Sequence, residues 1–454
     1  MFTSTPFTSS RDIYAWLSGF INLERGQSIR SFNLDRMVAL ASLAANPEKC
    51  APSIHVAGSK GKGSVTGMIA AILEEAGIKT ARYASPHVSD FRERLTMGKS
   101  FFDEQVYTAA GNELRELIDF HSVKFDDSGF EEPTFFELIT LWFFLCARQG
   151  RCGAMSVETG MGGKLDATNI LEPLLSVITI IELEHTEYLG ETIAAIAAEK
   201  AGIIKHKRPL ILAEQSDEAL KVFKEYAARM ESPLLNLNDH TELRNVQVDR
   251  DGTSFTLVLK NQAGGEETLF RELVLSTPGE VQAKNAALAV LAVKTAYPEI
   301  QESAIREGLA LFKLPARFER VCTSPLVIID GAHTGRSVDL ALKTFCSLYG
   351  EGGILIFGCA EGKDIYSMAK LCVSCFSQII ITRPGIFKES KPEEIHSAFV
   401  KEADGFLDPP KIFFLPDTDE AVDMAMRMAT EQKLPILGTG SFYLAAEIRK
   451  RFPA

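Results

Sequence analysis

What this chain of 454 residues lacks narrows its class. Its longest apolar run, Leu138 to Ala147, is far short of the ~20 residues a membrane-spanning helix requires. It has no excess of positive charge: 48 Lys and Arg stand against 60 Asp and Glu, a net charge of −12, which argues against a nucleic-acid or anionic-membrane partner. Its eight cysteines are scattered without a secretory framework. Cys372 and Cys375 form a C-x-x-C without a second pair, inside an apolar helical pattern, and read as core thiols. The opening MFTSTPFTSSRD has neither the basic segment nor the apolar run of a signal peptide, so a cytoplasmic protein is expected. Repeats and low-complexity segments are also missing. What remains has the composition of a soluble enzyme, 46% hydrophobic and 24% charged, long enough for two or three domains.

Residues 53–67, SIHVAGSKGKGSVTG, organise the rest. Ile54 to Ala57 is an apolar run of the kind that forms a buried parallel strand. The loop GSKGKGS follows, then VTGMIAAILEEAG with helical spacing and a terminal glycine, Gly77. Strand, glycine loop and helix together aim backbone N–H groups and a helix N-terminus at an anion. Gly58, Gly61 and Gly63 admit phosphate oxygens close to the backbone, Lys60 and Lys62 supply positive charge, and Ser64 offers a hydroxyl to magnesium. The loop is one residue shorter than G-x-x-x-x-G-K-[ST], and Gly63 separates Lys62 from Ser64. The alternative is a plain surface turn; the flanking strand and helix favour a phosphate loop.

Apolar patterning predicts helices near 12–23, 34–45, 103–120 and 134–146, with strands at KTARYAS, 154–158, 175–181 and PLILA. Residues 244–276 alternate in period two around turn signals, which predicts a small antiparallel meander. Beyond LPAR at 314–317, five short apolar runs (LVIID, ILIFG, QIIIT, KIFFL, PILGT) alternate with helical spacing. The expected fold is therefore α/β: a phosphate-loop ATPase unit carrying the meander at 1–313, and a doubly wound parallel sheet at 314–454.

Polar residues recur where strands end: Glu158 beside GMGG, His185, Asp330 and His333 in DGAH, and Ser441 in GTGS. Glu158 suits a hard cation such as magnesium. Singly, each also reads as a solvated or structural residue, and Lys200 as a surface lysine in the last turn of its helix. Their shared position at strand carboxyl ends would gather them in one cleft.

The runs HVAGSKGKGS, YASPHVSDFRERL, TFFELIT, ETGMGGKLDATN, EHTEYLGETIAAIAAEKAGIIK, VQAKNAA, PARFE, DGAH and GTGSFYL follow the order seen in folylpolyglutamate synthases, a family of the Mur ligase superfamily that includes bacterial dihydrofolate synthases. The chain resembles that family over nearly its whole length. The resemblance implies an ATP-dependent ligase joining L-glutamate to dihydropteroate or a reduced folate, with Lys62, Lys200 and His333 as catalytic candidates. It places ATP at the loop from Gly58 to Ser64, with Asn285, Arg317 and Asp330. It places magnesium at Ser64, Ser85, Glu158, His185 and Lys200, the lysine carried as a carbamate. It places the pterin side at Ser31, Phe32, Asn33, Thr134, Phe135, Phe136, Glu137, Leu165, Asp166 and Ala167, counts Ser441 among the substrate-binding residues, and inclines toward a monomer. Asp166 is expected to bond the acceptor's polar edge. Departures from the family pattern are Lys60 for asparagine, Glu184 for aspartate, Val281 for histidine and Thr334 for asparagine. The rivals are a nucleotide-binding relative without ligase turnover and a Mur-type ligase for a non-folate acceptor; phosphate release with a pterin acceptor and glutamate separates them.

Overall fold

The computed structural model describes residues 5–22, 33–128, 132–260, 267–385 and 389–452. Among the described residues seventeen strands form three sheets. The first sheet is built from β1 (Ser53–Ala57), β2 (Thr80–Tyr83), β3 (Leu95–Met97), β4 (Ser100–Phe101), β5 (Ala154–Glu158), β6 (Leu175–Ile178), β7 (Leu210–Leu212) and β8 (Leu234–Asn236). Its order is β4-β3-β2-β5-β1-β6-β7-β8. All its pairings are parallel except β2–β3 and β3–β4. That edge hairpin falls where the sequence suggested only a polar connection.

β1 lies between β5 and β6, buried along its whole length. Every side chain of β5 and β6 is also buried, as expected of parallel strands covered by helices on both faces. Helix Lys62–Glu75 follows β1 and buries Val65, Met68, Ile69, Ile72 and Leu73 against Ile54 and Val56. Each such side chain contributes roughly 1.5–3 kcal/mol when fully buried. Helices Glu280–Ala296 and Glu302–Leu311 close over it so tightly that a Cβ on Gly308 would lie 2.6 Å from Ile72 Cα.

The meander is β9 (Thr241–Val248), β10 (Thr253–Leu259) and β11 (Thr268–Leu275), antiparallel throughout. The third sheet holds β12 (Glu319–Thr323), β13 (Leu326–Ile329), β14 (Gly353–Phe357), β15 (Phe376–Ile381), β16 (Lys411–Phe414) and β17 (Ile436–Thr439), in the order β12-β13-β17-β14-β15-β16. The five anticipated strands pair in parallel; β12 adds an unanticipated antiparallel edge. Polar contacts join the two halves: Arg336–Glu182 at 3.0 Å, Arg449–Ser89 at 3.3 Å and Lys60–His333 at 3.4 Å.

Candidate active site

The loop after β1 is held by its surroundings. Gly58 has φ +144°, and a Cβ there would lie 1.8 Å from Thr179 Oγ1. Gly61, at φ +89°, faces the Asn285 amide, whose Oδ1 is 2.7 Å from where a Cβ would stand. The carbonyl of Gly58 accepts from two ammonium groups, Lys62 Nζ at 2.8 Å and Lys200 Nζ at 2.9 Å. Gly58→Ala should therefore destabilise the fold by about 1–3 kcal/mol, the usual cost of overpacking, and abolish nucleotide binding. Urea unfolding and nucleotide titration check the two effects separately.

Glu158 ends β5 with its carboxylate beside this loop: Oε2 would stand 3.3 Å from a Cβ on Gly63. Burial raises its pKa to about 7, against the pull of Lys62, Arg317, Arg82 and a hydrogen bond from the Ser85 N–H. Glu184 behaves in the opposite way. Burial alone would raise it, but Lys62, Lys200 and Lys60 outweigh that and hold it down at about 2. Lys200, 1% exposed in its side chain, pairs with Glu184 at 2.9 Å. Burial and repulsion from Lys62 nevertheless lower its pKa to about 8. Several lysines share one carboxylate, so Glu184 gains more from the cluster than Lys200 does.

The C-terminal half contributes Arg317. Its neighbours Ala316 and Phe318 both adopt left-handed backbone, φ +54° and +46°, a conformation costing of order 1 kcal/mol or more per non-glycine residue. Its guanidinium stands 4.2 Å from the Phe442 ring centroid and interacts with Asp330 and Glu158. Asp330 accepts from the Phe318 and Ala332 N–H groups, both at 2.8 Å, which secures the turn after β13. His333 Nδ1 lies 2.9 Å from the Gly331 carbonyl and so carries the proton, leaving Nε2 to accept from Lys60. Burial, with Lys60 adding to it, pulls its pKa down to about 3, so the ring is neutral. Thr334, in place of the family's asparagine, caps helix Gly335–Tyr349 through Ser337, and Val281 is an exposed residue of helix Glu280–Ala296. Ser441 caps the final helix, Phe442–Lys450, accepting from the Leu444 N–H at 3.0 Å.

On the pterin side the expected residues differ in how far they are open to a ligand. Asp166 has no oxygen left for an acceptor's edge: Oδ1 takes Thr168 N and Oγ1, and Oδ2 takes Gly160 N and Met161 N. Phe135 is completely buried in the core with Trp142 and Leu138, whereas Phe136 is half-buried and packs over Gly160. Glu137 is taken by Arg36 at 2.9 Å and by the Thr134 cap. Leu165 is exposed, Ala167 is buried, and exposed Asn33 accepts from the Asp35 N–H. Ser31 and Phe32 lie outside the described residues. Among the described residues no group of three or more His, Cys, Asp or Glu could hold a metal, and His185 stands exposed. Sequence reasoning missed Arg82, whose charge faces Glu158, and did not foresee the Glu184–Lys200 pair. A charged residue inside the short strand TARY was the available signal for Arg82.

Two family profiles match, the Mur ligase middle domain over residues 56–293 and the Mur ligase glutamate ligase domain over 316–442. Together the two profiles, covering the phosphate-loop sheet and the second α/β sheet, make the chain a Mur ligase. The dihydrofolate synthase/folylpolyglutamate synthase of Bacillus subtilis is 30% identical, over 98% of this chain and 99% of its own length. The Mycobacterium tuberculosis folylpolyglutamate synthase solved with ADP and AMPPCP superposes with a TM-score of 0.86 at 25% identity, over 98% of this chain and 99% of that one. A folylpolyglutamate synthase in complex with AMPPCP and folate gives 0.82 at 26% identity, over 98% and 100%. The chain belongs to the folylpolyglutamate synthase/dihydrofolate synthase family.

Proposed function

We propose that this protein is an ATP-dependent ligase that adds L-glutamate to dihydropteroate and to a reduced folate, releasing ADP and phosphate. The observation that carries the reading is the convergence of Lys60, Lys62, Lys200, Arg82 and Arg317 on the glycine loop after β1, in a chain whose net charge is −12. Three anionic reactants need that concentration of positive charge. The chain divides functionally into an ATP-binding unit, 1–313, and a glutamate-ligase unit, 314–454, acting as a monomer in the cytoplasm.

The acceptor carboxylate attacks the γ-phosphorus, the bond to the β-phosphate oxygen breaks and ADP leaves. The amine of glutamate then attacks the acyl carbon of the acyl phosphate, expelling phosphate and losing a proton. Lys62 and the N-terminus of helix Lys62–Glu75 stabilise charge on the transferred group. Arg317 reaches the same point from the other half, so approach of the halves completes the site and keeps water from the acyl phosphate. His333 holds Lys60 in place through its neutral Nε2. Ser64, Ser85 and Glu158 form a hard-oxygen donor set that fits magnesium, with His185 at the rim. A buried carboxyl whose ionisation burial opposes suits a site waiting for a cation. Magnesium there would neutralise phosphate charge; one or two carboxylates plus substrate oxygens suffice for it. Lys200, with its lowered pKa, has the neutral amine needed to take up carbon dioxide as a carbamate.

Purified protein with ATP, magnesium and glutamate should form ADP and phosphate with dihydropteroate and with tetrahydrofolate in separate assays. Formation of AMP would sink the acyl-phosphate route. Turnover of a single acceptor, the other being neither converted nor inhibitory, would reject the dual assignment.

A further inference from the structure

At the centre of β1 sits a histidine with no exposed surface, His55, flanked in register by Val157 of β5 and Ser176 of β6. Its Nε2 lies 2.8 Å from Thr168 Oγ1, which lies 2.5 Å from Asp166 Oδ1. The direction of this chain follows from the chemistry of its end. An ionised carboxylate only accepts, so the Thr168 hydroxyl donates to Asp166 and receives the Nε2–H of His55. Asp166 in turn fixes the backbone of Gly160 and Met161, each N–H 2.9 Å from Oδ2. His55 Nδ1 has no partner among the described residues. An unpaired buried nitrogen is costly, and a valine or leucine would fill a parallel strand without that cost. Only the bond made by Nε2 offsets it.

We propose that the loop after β5, whose Gly160 packs under the half-buried pterin-side candidate Phe136, forms the floor beneath the acceptor and that His55 is its positioning residue: through Thr168 and Asp166 it sets residues 160–167, locking them to the strand that ends in the phosphate loop. Gly58 follows three residues after His55, so one rigid strand carries the loop for the phosphoryl donor and the support for the group it phosphorylates. The inference rests on the ligase reading, and its test separates the two. Wild-type protein must first release phosphate with either pterin acceptor; if it does not, the ligase reading fails, while the relay is still read by the structural measurements below.

Loss of one buried hydrogen bond in His55→Leu is expected to raise the acceptor KM about tenfold, with the ATP KM changed less than about twofold. His55→Gln, whose amide nitrogen can overlay Nε2, should recover most of that loss. His55→Asn, which cannot reach, should not. Thr168→Val, which keeps shape and removes the hydroxyl, should reproduce the His55→Leu split and serves if the leucine variant fails to fold. Independently of activity, long-range nitrogen–proton NMR should find a neutral Nε2–H ring at His55, and amide exchange at 160–168 should quicken in Thr168→Val. The proposal is overturned if His55→Gln is no better than His55→Leu, if both KM values rise together, or if the ring is the Nδ1–H tautomer.

Discussion

Lys200→Ala is expected to lower turnover by about three orders of magnitude, the scale set by removing a preorganised electrostatic group from a buried site. Two roles could lie behind such a loss, and a second substitution separates them. As an ammonium, Lys200 bolts the Gly58 carbonyl to Glu184, and arginine would preserve both bonds in part. As a carbamate it contributes oxygens and a negative charge, which arginine cannot supply. The expected result is that Lys200→Arg is as inactive as Lys200→Ala, and that short carboxylic acids partly restore the alanine variant. Near-normal activity in Lys200→Arg would exclude the carbamate. The pKa of about 8 matters here: near pH 8 about half of the side chain is neutral amine, against well under about 1% for an ordinary lysine.

Glu158→Gln should split activity from stability. Turnover is expected to fall at least about a hundredfold, because an amide cannot balance a cation beside the phosphates. Stability of the unliganded protein should move the other way. The folded-state pKa of about 7 lies above the ordinary value of 4.5, so the fold favours the protonated acid. The contribution of Glu158 to wild-type stability is therefore fully present below about pH 4.5 and is lost as pH rises through about 7, by up to roughly 3 kcal/mol. Glutamine removes that fall, so above pH 7 the variant should be the more stable protein in urea titrations. Magnesium–nucleotide affinity should rise through pH 7 in the wild type and stay flat in the variant. Retained activity with ordinary magnesium dependence would make Glu158 a structural residue.

What the sequence disclosed and what it hid divide by range. β1, its glycine loop and helix Lys62–Glu75 were legible because strand period, glycine spacing and helical period sit side by side within 23 residues. The five parallel strands of the C-terminal half were legible for the same reason. The hairpin of β3 and β4 was not, since strands of two or three residues carry no usable alternation. Asp166 looked available because DATN is polar, yet its partners, Gly160 and Met161, fold back on it from the preceding loop. Phe135 and Phe136 are chemically alike and adjacent; one helix step buries the first and leaves the second partly open. Glu184 and Lys200 are 16 residues apart with a short helix between them, and only the folded chain brings them to 2.9 Å.

The place of β17 also bears on how the protein is made. This strand, residues 436–439 of 454, lies between β13 and β14, in the interior of its sheet. During synthesis β13 and β14 are translated together but cannot take their final neighbour until residues 436–439 have left the ribosome, about eighty residues after β14. β1 meets a milder version of the same delay, waiting for β5 and β6 about a hundred residues later. Both sheets depend on pairings distant in sequence, which form slowly and leave apolar strand edges open meanwhile. Truncation before residue 436 would therefore take out a central strand, and a nascent chain stalled there should need chaperone protection more than one stalled after Thr439.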